Sequence, residues 1–110
     1  ERHGDVLAYE GTITGPDGLS GVIAGVQHTA RQHDETQWDR VVNATFSFDG
    51  GDSITVHGLI RNGTDPASAQ TGDRYVRAVV GGTGQFIGAS GQVESVRSDD
   101  GSYVHTFTLL

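Results

Sequence analysis

A glycine-rich stretch between two runs of β-forming residues places the strongest limit on how this chain folds. Five glycines fall within the eleven positions 81–91, and valine-containing runs lie on both sides of them. Glycine adopts positive φ angles and lets backbones approach closely, so it favours a sharp bend and weakens a regular helix. The pattern predicts a strand over 74–80, a glycine corner, and a second strand over 91–97. A phosphate-binding loop is disfavoured because Gly84 is not followed by the Lys and Ser/Thr that complete such a loop.

Turn signals divide the rest of the chain into short runs that are typical of strands. Gly15-Pro16-Asp17-Gly18 predicts a turn, and the Asp/Gly clusters at 49–52 and 98–101 predict hairpins. The further strands are expected over 6–14, 21–30, 38–48, 53–60 and 103–110, with loops over 31–37 and 62–73. No segment shows a convincing helical pattern. We therefore expect one all-β domain over 1–110, a small antiparallel closed β-barrel of seven or eight strands.

Composition excludes several classes of function. The chain has seven basic residues, all of them arginine, and fourteen acidic residues, which gives a net charge of −7. Neither a nucleic acid nor an anionic membrane is expected as a partner. Without lysine or cysteine, a Schiff base, a thiol nucleophile, a disulfide and a Cys-ligated zinc are excluded. No membrane-length apolar run or signal peptide is visible, and a cytoplasmic location is slightly favoured over a secreted one.

One group of potential metal ligands runs from a strand into a loop. It contains His28, His33, Asp34 and Glu35. A metal site needs ligands held in fixed geometry, and a polar loop does not supply that. We expect solvated side chains at these positions and no metal.

Alternation along the strands predicts which side chains point inward. In the third strand one face is apolar and aromatic apart from one arginine, and this face is the expected interior. It carries Trp38, Arg40, Val42, Ala44, Phe46 and Phe48. In the sixth strand Gln92 and Glu94 suit the exterior, which turns Ser95 inward. Neither face of the first strand is cleanly polar, so the orientation of Glu10 stays open at this point.

The corner also resembles a known family. The run Val79–Val93 is similar to the glycine corner of the allene oxide cyclase and dirigent barrel superfamily. Ile54–Gly58 resembles the strand before it and His105–Leu109 the last strand, so the resemblance extends over Ala44–Leu110. It implies a closed barrel that forms a homodimer or homotrimer and needs no cofactor. Members fold a flexible apolar molecule into one shape and direct its ring closure or coupling.

Glu10 and Arg40 form the predicted catalytic pair. Tyr9-Glu10 followed by Thr12 resembles a Tyr-Glu-x-Asn run of plant allene oxide cyclases, in which the glutamate lines the cavity; here Thr12 replaces the asparagine. A carboxylate inside a narrow barrel would be desolvated, and its raised pKa would suit acid-base chemistry. Arg40, if it is interior, needs a partner such as this carboxylate. The alternatives are a solvated glutamate on an outer face and a rim arginine that reaches solvent.

The predicted substrate is small and hydrophobic, because large interior side chains are scarce and a cavity is favoured. The expected substrate-binding residues are Trp38, Thr12, Gln27, Val42, Phe46, Tyr75 and Ser95. The function predicted on the resemblance is a cofactor-free cyclase or isomerase acting on a polyketide-like or fatty-acid-like intermediate. The alternatives are a lipocalin-like carrier, a dirigent-like protein that controls stereochemistry, and a filled barrel whose surface carries the function.

Overall fold

The structure, a computed structural model, describes residues 5–32, 37–63 and 72–110 as one curled antiparallel sheet. Its strands are β1 (Val6–Thr14), β2 (Ser20–Gln32), β3 (Gln37–Phe48), β4 (Ser53–Gly63), β5 (Arg74–Thr83), β6 (Gly91–Arg97) and β7 (Tyr103–Leu109). Each strand pairs with its neighbours in sequence, in the order β1 to β7. The sheet curls into a half-barrel, which confirms the all-β antiparallel class. One-turn 3₁₀ helices at Pro16–Gly18 and Gly84–Phe86 interrupt two of the connections.

The turn signals located the strands well, and the differences lie at strand ends. β5 continues to Thr83, three residues beyond the predicted end, because Gly81 and Gly82 still pair with β4. β2 reaches Gln32 and β4 reaches Gly63, so both extend into segments predicted as loops. Residues 33–36 and 64–71 of those two loops lie outside the described residues, and so therefore do His33, Asp34 and Glu35 of the rejected metal group.

The core lies on the concave face of the sheet, as strand alternation predicted for β3. Val42, Ala44 and Phe46 are buried there with residues of β4, β5 and β6. The curl brings β3 against β7, because the Phe46 ring meets the rings of His105 and Phe107 edge-on at centroid distances of 5.0 Å each. Such edge-to-face contacts add to the burial of apolar surface. The curl of the sheet therefore encloses an interior between β3 and β7.

The glycine corner between β5 and β6 covers one end of this interior. Gly84 and Gly88 have φ angles of 64° and 79°, which confirms that the corner uses the left-handed region that glycine favours. The Phe86 ring lies 5.6 Å from the Phe48 ring, centroid to centroid. The Asp52 carboxylate accepts hydrogen bonds from the Gln85 backbone N–H at 3.1 Å and from its side-chain amide at 2.7 Å. The glycine corner is thus hydrogen-bonded to the β3–β4 hairpin. We call the end of the interior that it covers the corner end.

Candidate functional site

The inward-facing polar side chains collect at the end of the interior opposite the glycine corner, here called the polar end. Strand register brings them together: Thr29 pairs with Arg40, and Ser95 lies between Tyr75 and His105. The members of the polar end are Gln27, Thr29, Arg40, Tyr75, Arg77, Ser95, Arg97, Tyr103 and His105. The interior is therefore apolar and covered at one end, and polar at the other.

A chain of short hydrogen bonds crosses β5, β6 and β7 at the polar end. Arg77 Nη2 donates to Ser95 Oγ at 2.5 Å, and Ser95 Oγ lies 2.6 Å from His105 Nδ1. A guanidinium can only donate, so the Ser95 oxygen accepts from Arg77 and its own proton is free for His105. In this arrangement His105 Nδ1 accepts from Ser95, so the single N–H proton of the neutral imidazole lies on Nε2.

The ionisation of these groups is shifted by burial. Burial, together with the smaller effect of the positive charge of Arg77, lowers the pKa of His105 to about 4. The imidazole is therefore neutral at pH 7. Burial also raises the pKa of the Tyr9 hydroxyl, and the neighbouring Arg77 opposes this shift with a smaller effect. The site thus holds a neutral imidazole and a protonated phenol beside a cation.

Aromatic rings surround the polar chain. The Tyr103 ring stacks on His105 at a centroid distance of 6.3 Å, and Tyr75 lies 6.3 Å from Tyr103. The Arg97 guanidinium lies 5.9 Å from the centre of the Tyr103 ring. Because Tyr103 is 36% exposed while Ser95 is 1% exposed, the rings form the outer layer and the hydrogen-bonded chain the inner one. A planar or unsaturated molecule would meet stacking surfaces on its way in.

Arg77 has an unsatisfied donor. Arg77 is 7% exposed, and its Nε atom is buried without a hydrogen-bond partner among the described residues. No carboxylate in the described ranges forms an ion pair with it; the ionisable side chains that interact with it are those of Tyr9 and Tyr103. Burial accordingly lowers the pKa of the guanidinium. A buried donor without a partner is destabilising by about 1–3 kcal/mol, so this atom is an unusual feature of the interior.

The predicted position of Glu10 is wrong. Glu10 is exposed on the outer face of β1, and Thr12 shares that face. The larger apolar side chains of β1, Tyr9 and Ile13, pack against the core instead, and strand alternation then turns Glu10 outward. Arg40 is buried on the opposite, inner face at 8% exposure. The two residues therefore do not meet, and they do not form the expected pair.

The other predicted site residues lie on the inner face. Trp38, Val42, Phe46 and Ser95 are buried, and Gln27 and Tyr75 are half-buried. Gln27, Trp38, Tyr75 and Ser95 belong to or adjoin the polar end, whereas Phe46 lies deeper and contacts His105. For Trp38, Val42, Phe46 and Ser95 this placement agrees with the alternation argument, while the role of all six residues in substrate binding stays a prediction.

Three members of the site were given little weight by sequence reasoning. No site role was assigned to His105 or Arg77 from the sequence, and Tyr9 was noted only beside Glu10. The available signal was cross-strand register: once Ser95 points inward, Tyr75 of β5 and His105 of β7 lie opposite it, and alternation along β5 turns Arg77 to the same face as Tyr75.

Glu10 borders a different feature, a shallow open depression of about 640 Å³ on the outer face. Its lining consists of small side chains and a few polar ones: Ala8, Glu10, Ala24, Val26, Asn43, Thr45 and Thr55, with Tyr9, Gly25 and Ala44 behind them. Beside it, Asn43 and His57 are hydrogen-bonded to each other at 2.5 Å. The depression lacks the enclosed polar groups that distinguish the polar end.

A buried carboxylate was missed by the sequence patterns. Asp39 is 1% exposed and accepts a hydrogen bond from Arg61 Nε at 2.7 Å, with Arg31 Nε 3.7 Å away. The β2 bulge between Thr29 and Arg31 shifts the register there and brings Arg31 opposite Asp39. The cluster satisfies a buried charge and serves the stability of the sheet.

Neither the protein-family models nor the curated proteins contain a significant match to this chain. In residues 5–32, 37–63 and 72–110, no group of three or more His, Cys, Asp or Glu side chains is arranged to hold a metal ion. The same ranges contain no helix with the length and apolar character needed to cross a membrane.

Proposed function

We propose that this protein binds a small, largely apolar molecule at the polar end of its interior and directs its ring closure or isomerisation without a cofactor. The observation that carries the proposal is the buried polar chain Arg77–Ser95–His105, which faces an apolar interior. Polar groups converging in an otherwise apolar enclosure are typical of small-molecule sites. The resemblance to allene oxide cyclase and dirigent barrels supports the same function, and with it a closed barrel and association as a homodimer or homotrimer.

The polar chain supplies what a ring closure requires. An apolar enclosure limits the shapes of a flexible molecule, so part of the entropy of ring closure is lost on binding and not in the transition state. A guanidinium in a dry environment stabilises negative charge that develops on a carbonyl oxygen. His105 Nδ1 can accept a proton through the Ser95 hydroxyl that is hydrogen-bonded to it, and the Tyr9 hydroxyl can donate a proton near it. The proposed catalytic groups are therefore Arg77, His105 and Tyr9, in place of Glu10.

The alternative function is a carrier that binds the same class of molecule without chemistry. The packed core supports the carrier function. Phe46, Val42 and Val56 are almost fully buried, so the polar end is the part of the interior that presents polar groups to a ligand. A carrier needs Arg77 for affinity but does not need His105 as a proton acceptor. The two functions therefore differ in their dependence on His105.

The test uses a panel of flexible polyketide-like and polyunsaturated fatty-acid-like molecules. Binding is measured by the fluorescence of Trp38, the one tryptophan, and products are separated by chiral chromatography. A cyclase yields one ring stereoisomer in excess, and His105→Phe lowers its turnover about 10²- to 10⁴-fold without preventing binding. Binding without any product supports the carrier. If no member of the panel binds, both functions are refuted.

A further inference from the structure

The Arg77 guanidinium presents a donor that the fold leaves unused. One of its nitrogens is occupied by Ser95, and the Tyr9 hydroxyl interacts with the guanidinium as well. Nε remains buried and without a partner in the described part of the chain. Arginine is favoured where a planar fork of donors must hold an oxyanion, and Nε together with one Nη forms one side of that fork.

The surroundings hold Arg77 in place instead of giving it a counter-charge. Its stem packs on Gly58, where an added Cβ would lie 3.0 Å from Arg77 Cγ. Ser95 fixes the far end of the side chain, and β5 carries Arg77 in register with Val93 of β6. A cation that is fixed in an apolar interior without a carboxylate is prepared for a negative group from elsewhere.

On these grounds we propose that the molecule bound at the polar end carries an acidic oxygen group, a carboxylate or an enolate, which pairs with Arg77 through Nε. This inference rests on the proposed function, and it adds the chemical class of the ligand. The net charge of −7 gives the protein no general attraction for anions, so a preference for an anionic ligand must come from a local site.

Tyr9 is the group that has to move for this contact to form. Nε is buried, and the half-buried Tyr9 interacts with the guanidinium through its hydroxyl. The end of the Tyr9 side chain lies over Gly25, where an added Cβ would be 2.7 Å from Tyr9 Cζ and from the hydroxyl oxygen. It sits on β1, the first strand of the sheet order, where one flank has no strand partner among the described residues. Rotation of this side chain opens the path to Nε.

The experiment compares three probes on the whole protein by calorimetry: dodecanoate, dodecanol, and an alkylated cyclic diketone that ionises to an enolate. Dodecanoate, or the enolate, is expected to bind about 10- to 100-fold more tightly than the alcohol, as charge-assisted hydrogen bonds allow. The stronger of the two anions identifies the acidic group. Arg77→Met should remove this preference, so that the ratio of the affinities for the anion and for dodecanol falls to about one.

Arg74→Met is the matched control. It removes one positive charge from the same strand, but Arg74 lies on the outer surface in a pair with Glu94 at 2.6 Å. The preference for the anion should persist in this variant. A preference that is equally reduced in both variants would show that general electrostatics, and not Arg77, selects the anion, and would overturn the inference.

A second measurement works on the unaltered protein, in case Arg77→Met does not fold. The Arg77 Nε–H resonance, followed by nuclear magnetic resonance, should shift on saturation with the preferred anion and not with dodecanol. If dodecanol and the anions bind equally and the Arg77 Nε–H resonance does not shift, the proposal that the ligand carries an acidic group is refuted, while the proposed apolar site is not. Failure of all three probes to bind would refute both. Tight anion binding without any ring closure in the earlier panel would refute only the cyclase.

Discussion

Three glycines of the corner region are expected to respond to alanine in graded ways, because each holds its place for a different reason. Gly84 has positive φ, and a Cβ there would collide with the Asp52 carboxylate. Gly88 also has positive φ, but a Cβ would meet nothing within 4 Å. Gly81 has neither restriction. The series therefore separates backbone strain from steric contact.

The magnitudes follow from these differences. Holding an alanine in the left-handed region is unfavourable by about 1–2 kcal/mol, which is the whole effect expected for Gly88→Ala. Gly84→Ala has the same strain and also displaces Asp52 from its bonds to Gln85, which adds about 1–3 kcal/mol. Gly81→Ala should be neutral or stabilising by up to about 1 kcal/mol, since alanine restricts the unfolded chain. The expected order of stability is Gly81→Ala, wild type, Gly88→Ala, Gly84→Ala.

The assay is urea unfolding followed by circular dichroism and by the fluorescence of the buried Trp38. Free energies of unfolding are compared between variants with the same slope m of free energy against urea concentration, because a different slope would indicate a changed unfolded state. Equal destabilisation by Gly84→Ala and Gly88→Ala would refute the contact with Asp52. Destabilisation by Gly81→Ala equal to the other two would refute the role of positive φ as well.

Three further predictions concern the charged interior. His105 has a pKa of about 4 in the folded protein, below its ordinary value of 6.5, so its contribution to stability is complete above pH 6.5 and is lost as the pH falls toward 4. The urea midpoint of the wild type should fall over this pH range, and the midpoint of His105→Gln should not show this loss. Asp39→Ala should lower the free energy of unfolding by about 2–4 kcal/mol, against about 0–1 for the partly exposed Glu94→Ala, and similar values would contradict the burial argument. Arg77→Met should raise the urea midpoint, because it removes a buried cation with an unsatisfied donor; a lower midpoint would mean that the guanidinium stabilises the fold.

The fold was predictable to the extent that local patterns determine it. Turn residues and alternation gave all seven strands, since both act within a few residues of chain. The strand ends at Gln32, Gly63 and Thr83 were misjudged because pairing with a neighbouring strand carries the ladder past residues with weak β preference. The curl that sets β3 against β7 depends on the whole sheet, and a closed barrel stays a prediction.

The site was predicted less well, and Glu10 shows why. In β1 neither face is distinctly polar, so a one-residue difference in orientation moved the carboxylate from the interior to the surface. In β3 the apolar face was distinct, and Trp38, Val42 and Phe46 were placed correctly. Side-chain orientation is therefore predictable where one face is clearly apolar, and undetermined by local sequence where small and polar residues alternate.

Arg77 marks the point at which stability and function are expected to diverge. The strand position between Tyr75 and Val79 faces the interior, where a valine or methionine would bury apolar surface without a desolvated charge. Because residue 58 is glycine, it places no side chain against this position, and this leaves room for the aliphatic part of the arginine. Ser95 and Tyr9 then engage part of the guanidinium and leave Nε unpaired. A folding requirement alone would not favour these three features together, because each weakens the core, whereas a site for an acidic ligand requires all of them.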